Sequence, residues 1–295
     1  MVSIDAPGGS APTLDPEAEL RLLSALCDAA RPIALKHFRG ARLAAENKAG
    51  DGAFDPVTQA DREIERTLRA LLCEARPEDG VFGEEYGARP GPSGRLWVID
   101  PIDGTRAFMS GLPTWGVLIA LYEGEPGRGR CLLGALDQPY LGERFIGAAP
   151  GGGFGARGRA EMRRAGDGAE TTRPLRARRC ESLADATLFT TDPELFAEGA
   201  ERQAFEALRA EVRLTRYGAD CYGYAMVAAG HADIVLEAGL SAYDLQALVP
   251  LLEGAGGALT DWRGGARPWD GRALALGDPG LASAVLPLLA GAAAP

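Results

Sequence analysis

Histidine is nearly absent. His37 and His231 are the only two in 295 residues, and they stand far from each other and from every acidic motif. Histidine-built zinc sites and Ser-His-Asp chemistry therefore have little material. Cysteine is sparse as well: Cys27, Cys73, Cys131, Cys180 and Cys221 are odd in number and widely spread, with no CxxC and no ligand spacing. That usage predicts isolated, buried or half-buried thiols in a reducing cytoplasm. No apolar run approaches the roughly 20 residues that span a bilayer. The polar, acidic start MVSIDAPGGSAPTLDPEAEL lacks a basic n-region and an apolar h-region, so neither a membrane partner nor a secretory leader is expected. Positive charge is in deficit, with 31 Lys+Arg against 41 Asp+Glu and a net charge of −10. This argues against nucleic acid as a partner. The basic stretch 157–179 carries no interleaved aromatics and reads as a solvated strand-and-loop segment. The glycines at 151–153 lack the Lys and helix that follow a phosphate loop, so a hairpin turn is expected there.

With 46% hydrophobic and 24% charged residues, the chain has an ordinary globular composition and enough length to bury a substantial core. Residues 1–13 read as a disordered lead. From Asp15 the pattern turns helical, with Ala18, Leu22, Leu23, Leu26 and Ala30 on one face; a second helix is predicted over 59–76, with Ile64, Leu68, Leu71 and Leu72 inward. Between them NKAGDGAFDPVTQAD is a turn-rich excursion. LWVID, TWGVLIALYEG, GRCLLGALD and ERFIGAAPGGGFGARG predict an antiparallel-leaning sheet ending in a hairpin. After about residue 185, strands (TLFTT, EVRLTRYG, ADIVLEAG, GALTDW, ALALG) alternate with helices predicted over 193–209, 222–229, 243–253 and 281–289. Pro250 is expected to kink the third of these. Such alternation implies layered α/β packing. Two lobes are expected, 14–185 with the acidic motifs and 186–295 completing the site.

Chemistry must come from carboxylates. Three acidic features sit at predicted strand or helix ends: FGEEYG with Glu84 and Glu85, DPIDGT with Asp100, Asp103 and Thr105, and SAYDLQAL with Asp244. Asp61 in PVTQAD is a fourth. In DPIDGT, Pro101 takes Asp100 out of the helical region, and Gly104 lets backbone approach a ligand closely. Asp103 or Thr105 could then cap a short helix over TRAFMSG whose free amides face an anion. A plain Asp-Pro turn uses the same letters, so both readings stand for this hexapeptide. An EF-hand fails, because counting from Asp100 puts Ile102 at position 3 and Gly111 at position 12. An Asp that opens a helix is ordinarily a cap, and paired glutamates are ordinarily solvated. Together, however, these oxygen-only donors from distant segments match hard cations and point to two-metal hydrolysis.

GEE, WVIDPIDGT and YD…EGAGG resemble, in order and spacing, the three signatures of the inositol monophosphatase family of magnesium-dependent, lithium-sensitive phosphatases. The resemblance runs over residues 48–262. It implies an α/β layered sandwich with αβαβα layers, a homodimer, two or three Mg²⁺ per subunit and a small-molecule phosphate ester as substrate. Residue by residue, it implies that Glu84, Asp100 and the Ile102 carbonyl hold one metal, and Asp100, Asp103 and Asp244 another. Thr105, paired with Asp61, and Glu84 would orient the attacking water, and the amides of Gly104 and Thr105 would receive the phosphate. DGTRAFMSGLPTWGVLIAL and GADCYGYAM…SAYDL resemble the histidinol-phosphate phosphatase branch, with its place in histidine biosynthesis. Arg106, Gly218, Ala219, Asp220 and Glu237 then fall at the alcohol end of the substrate. Two carboxylates there, Asp220 and Glu237, would suit a cationic leaving group. Glu237 is also expected where inositol phosphate is the substrate, and Asp220 could instead be an N-cap for the following helix. An inositol-1-monophosphatase or a broad sugar-phosphate phosphatase with the same mechanism is the alternative.

Overall fold

The structure, a computed structural model, describes residues 14–40, 45–47, 56–151, 153–165, 169–265, 268–269 and 271–292. The lead at 1–13, most of the excursion after Asn47 and Gly152 lie outside the described residues.

Helix α1 (Pro16–His37) opens on Asp15, whose carboxylate accepts the amides of Glu17 and Ala18 while Pro16 occupies the first turn. Leu20, Leu23, Leu26, Cys27, Ala30 and Ala34 form its buried face, whereas Ala18 and Leu22 lie at its margin, half-buried. Strands β1 (Ala45–Asn47) and β2 (Pro56–Thr58) pair antiparallel and lead into α2 (Gln59–Ala75), which buries Ala60, Ile64, Leu68 and Leu72 and leaves Leu71 half-buried.

Next come β3 (Gly80–Gly83), β4 (Gly87–Arg89), β5 (Arg95–Asp103), the short α3 (Thr105–Ser110), β6 (Gly116–Glu123), β7 (Arg130–Gln138), β8 (Glu143–Ala148), β9 (Arg159–Ala165) and β10 (Glu170–Pro174). Their eight strands make one sheet, ordered β10-β9-β8-β7-β6-β5-β3-β4, antiparallel except where β3 runs parallel to β5. Gly151 and Gly153 lie in the connection of the β8–β9 hairpin, and β9–β10 carries most of the basic stretch.

The rest alternates: β11 (Thr187–Thr190), α4 (Ala200–Glu211), β12 (Leu214–Tyr217), α5 (Asp220–Ala228), β13 (Ile234–Leu240), α6 (Ala242–Leu245), α7 (Leu248–Ala255), β14 (Ala258–Thr260), β15 (Gly271–Leu276) and α8 (Ala282–Leu289). These five strands form a second sheet, ordered β12-β11-β13-β15-β14, with β11 parallel to both β12 and β13.

Period-two alternation places the layers. Trp97, Ile99, Val117, Ile119 and Leu121 pack with α1 and α2, whereas Leu96, Val98, Leu118 and Ala120 pack on the other face with α5 and α7. Val235, Ala273 and Ala275 of the small sheet join that inner cluster, while Ile234, Leu236, Leu274 and Leu276 face α4 and α8. The order is helices, sheet, helices, sheet, helices: the αβαβα sandwich. Parallel β11, β12 and β13 need crossover helices, and each apolar face needs a cover, so this layering follows from the sequence pattern.

Two boundaries and one burial differ from expectation. The helix after Ser241 breaks at Gln246–Ala247, between α6 and α7, and not at Pro250. Pro250 sits in the first turn of α7, where an amide has no intrahelical acceptor to lose. The helix expected from Pro193 begins at Ala200, because Asp192 caps a separate turn at Pro193–Leu195 and Gly199, at φ 99°, restarts the chain. Cys73 is exposed, while the other four thiols are buried.

Candidate active site

The strand that ends in DPIDGT does not run straight. On β5, Asp100 faces Leu118 and Asp103 faces Gly116, so three steps along β5 match two along β6. This is a bulge. Pro101 falls in it, where its missing N–H costs no ladder bond. The Asp100 carboxylate turns back to accept the Ile102 amide at 3.0 Å, and the Thr105 hydroxyl donates to the Ile102 carbonyl at 3.0 Å. That carbonyl keeps a second lone pair. Gly104, not Asp103 or Thr105, stands at the N-cap of α3, with no side-chain cap bond. Its φ of 80° is left-handed, and a Cβ there would meet Asp220 Cβ at 3.0 Å and Trp115 Cα at 3.1 Å. Only glycine fits.

Asp244 arrives from the second sheet. It occupies the third position of α6, and its carboxylate accepts the Ser241 amide at 2.6 Å, the return half of a capping box; it is not itself the cap. Thr58 and Asp61 repeat the device at the start of α2, where Asp61 Oδ2 accepts the Thr58 amide at 2.9 Å and hydroxyl at 2.5 Å.

The structure brings Asp100, Asp103 and Asp244 together, one oxygen of each lying within 4.8 Å of the others; Asp61, Glu84 and Glu85 form a second such group. Burial pushes the Asp100 and Asp103 carboxyls well above the carboxylate range, reinforced for Asp100 by Glu84 and Asp103 and for Asp103 by Asp244 and Asp220. Asp244 and Asp61 are each pushed up to about 7, again chiefly by burial. Repulsion among buried carboxylates is what a hard dication relieves. The donors are all oxygen, and the neighbouring Cys221 thiol is held protonated by burial, so the set fits Mg²⁺-type ions and not soft metals.

A cleft of about 400 Å³ opens over the first group, with Glu84, Thr105, Arg106, Asp220 and Glu237 among the residues that line it. Asp220 begins α5 in the left-handed region, at φ 47°, and its carboxylate accepts the Thr114 hydroxyl at 3.1 Å across the cleft wall. It caps nothing; Ala219 holds the N-cap position. Burial raises the Asp220 carboxyl to about 6 despite Thr114 and Arg106. Glu237 is buried, where Asp220 is half-buried: one oxygen accepts the Thr191 amide at 3.0 Å and hydroxyl at 2.5 Å, the other the Tyr224 hydroxyl at 2.8 Å. Burial raises it to about 7, against those hydrogen bonds.

Two expected placements are not met. Gly218 and Ala219 do not line the cleft; Gly218, at φ 74°, ties its amide to the Thr191 carbonyl at 2.9 Å. Thr105 and Asp61 do not bond each other directly, since each is satisfied locally by Ile102 and Thr58. Sequence reading also missed Thr114, Thr191 and Tyr224, which hold Asp220 and Glu237, and Glu65, which is fully buried under the GEEYG turn. Only Glu65 carried a signal: a charge between Ile64 and Leu68, one helical turn after Asp61.

Comparison with known proteins agrees with this geometry. The model of the inositol monophosphatase family matches residues 15–292. The chain is 39% identical over 250 residues to IMPL2, a bifunctional chloroplastic phosphatase of Arabidopsis thaliana, a match covering 84% of this chain and 65% of that protein. It is 33% identical over 256 residues to the histidinol-phosphatase of Chlorobaculum parvum, covering 87% of this chain and 90% of that one. A solved inositol monophosphatase from Zymomonas mobilis superimposes with a TM-score of 0.75 at 39% identity, covering 93% of this chain and 98% of the other. The chain thus belongs to the inositol monophosphatase family, and with it to the phosphoric monoester hydrolases.

Proposed function

We propose that this protein hydrolyses L-histidinol phosphate to L-histidinol and phosphate as a Mg²⁺-dependent enzyme of histidine biosynthesis. The carrying observation is the presence of both Asp220 and Glu237 on the cleft, the first half-buried and the second buried, each held by neutral hydroxyl donors. None of those bonds comes from a cation, so both side chains offer carboxyl oxygens to the leaving group. Histidinol carries an ammonium and an imidazole, which such a wall favours. The histidinol-phosphatase of Chlorobaculum parvum, similar over most of both chains, supports the same substrate.

In this reading Glu84, Asp100, the Ile102 carbonyl, Asp103 and Asp244 hold the metals. Bound Mg²⁺ would supply charge neutralisation on the phosphate and a more acidic water. The protein does the rest by position. Thr105 and Glu84 orient that water, with Asp61 as the partner of Thr105. The amides of Gly104 and Thr105 receive the phosphate oxygens, and the fixed bulge keeps Asp100 and Asp103 on one side of them. No covalent intermediate is needed, because Cys221, the nearest thiol, stays protonated and engaged. Arg106, exposed at the cleft rim, contacts the substrate's outer end. A homodimer, cytoplasmic location and inhibition by Li⁺ belong to the same reading.

Inositol 1-phosphate is the second reading. Glu237, ringed by hydroxyl donors, is suited to bind hydroxyls, and the Zymomonas mobilis relative is an inositol monophosphatase. Phosphate release from both esters, with Mg²⁺ and with Mg²⁺ plus Li⁺, decides between them. A kcat/KM for inositol 1-phosphate equal to or above that for histidinol phosphate would overturn the first reading.

A further inference from the structure

Helix α2 carries two stripes. Ala60, Ile64, Leu68 and Leu72 enter the core, while Asp61, Glu65 and Arg69, also spaced by four, face the β3–β4 hairpin. Glu65 is a fully buried carboxylate on that second stripe. Its Oε2 accepts the Glu85 amide at 2.7 Å, and its Oε1 accepts the Tyr86 amide at 3.3 Å and Arg69 Nε at 2.6 Å. Arg69 in turn donates to the Gly87 carbonyl. The pair therefore grips both sides of the turn that joins β3 to β4. Gly83 makes the room: a Cβ there would lie 2.2 Å from Glu65 Oε1. A buried carboxylate under a surface turn is costly unless its hydrogen bonds are all made, and here they are spent on two consecutive backbone amides.

We infer that Glu65 is a positioning residue: held by Arg69, it fixes the turn that presents Glu84 at a set distance from Asp61 on the same helix. The inference rests on the reading of Glu84 as a metal- and water-holding residue. It assigns to α2 the part of a ruler, because Asp61, Glu65 and Arg69 share one rigid element. An amide in place of the carboxylate keeps the shape of Glu65 but turns a donor toward N–H groups that are themselves donors, so the turn would loosen while the fold stays.

The test is Mg²⁺ binding to the purified protein by titration calorimetry, alongside amide hydrogen exchange of the 84–87 turn. Glu65→Gln should weaken Mg²⁺ binding by about tenfold to a hundredfold and speed exchange at 84–87. Saturating Mg²⁺ should recover most of kcat, a split that mere destabilisation would not produce. Gly83→Ala, which crowds the same carboxylate, should shift Mg²⁺ binding the same way, as should Arg69→Met if Glu65→Gln proves insoluble. Glu63→Gln, on the outer face of the helix against Lys36 and His37, should change neither readout. Unaltered Mg²⁺ binding and exchange in Glu65→Gln and Arg69→Met, with binding lost in Glu84→Gln, would overturn this inference alone. Unaltered binding in Glu84→Gln would overturn the underlying assignment.

Discussion

Asp103 accepts the Cys221 amide at 2.8 Å across 118 positions of sequence, which locks the end of β5 to the start of α5. One oxygen is thus fixed by backbone, and the other is left for the cluster with Asp100 and Asp244. The large sheet and the helix layer between the two sheets meet at this bond, so the acidic cluster is an interlayer feature and not a loop feature.

Asp103→Asn should separate function from stability. The amide oxygen still accepts from Cys221, but one buried charge disappears from a mutually repelling set. Metal-free protein should become more stable by about 1–2 kcal/mol, which for a chain this long is a rise in Tm of roughly 2–4 °C per kcal/mol. Phosphate release should fall at least about a hundredfold. Differential scanning calorimetry in chelator and a phosphate assay in Mg²⁺ check the two halves. A lower metal-free Tm with activity kept would contradict the metal assignment.

Gly104→Ala tests the crowded corner behind the cluster. An alanine must hold φ at 80° and place its Cβ 3.0–3.1 Å from Asp220 and Trp115. Left-handed backbone alone costs an alanine about 1 kcal/mol, and the side chain pushes on Asp220. Urea unfolding should show a loss of about 1–3 kcal/mol, with kcat reduced more than KM. Wild-type stability and kinetics in this variant would mean that the turn is not constrained as described.

Much of this was readable in advance. Trp97 to Ile99 announces a strand, and DPIDGT announces a constrained turn, because Pro, Gly and paired Asp each remove conformations locally. What was not readable is whatever depends on register and on distant partners. Nothing in DPIDGT says that Pro101 sits in a bulge opposite Val117, or that Gly104 rather than Asp103 stands at the cap. Pro250 reads as a kink in a helix that runs from Tyr243; in a helix that starts at Leu248 the same proline is harmless. Thr114 and Thr191 are ordinary letters until tertiary packing sets them against Asp220 and Glu237.

Asp233 gives the stability of the small sheet its acid limit. It is buried and accepts Arg178 Nε at 2.7 Å, the other Arg178 nitrogen at 2.5 Å and the Thr187 amide at 2.7 Å, tying β11 to the turn before β13. Burial works to raise its pKa, but the Arg178 and Thr187 bonds outweigh it and the carboxyl ends below 3.8. A folded pKa below the unfolded one adds stability that is complete above the ordinary value and lost as pH falls through the folded one. Asp233→Asn should therefore cost about 1–3 kcal/mol at pH 7, with the gap to wild type closing below about pH 4. Urea titrations at pH 7, 5 and 3 measure it; a gap independent of pH would refute the charge as its source.

Under the proposed function Asp220 carries the choice of substrate, and its test must separate charge from shape. Asp220→Asn keeps the side chain's volume and can still accept from Thr114, so the left-handed turn at φ 47° survives. It removes the negative charge that Arg106 and a cationic alcohol would share. Loss of a charge-assisted contact is worth about 1.5–3 kcal/mol, or roughly ten- to a hundredfold, in kcat/KM for histidinol phosphate. Inositol 1-phosphate, which is neutral at its ring, should change by less than about threefold. Thr114→Val leaves the charge and loosens its aim, so it should lower histidinol phosphate turnover by a smaller factor in the same direction. Parallel kinetics on both esters give the answer: equal losses on the two would make Asp220 a structural residue and return the preference to Glu237.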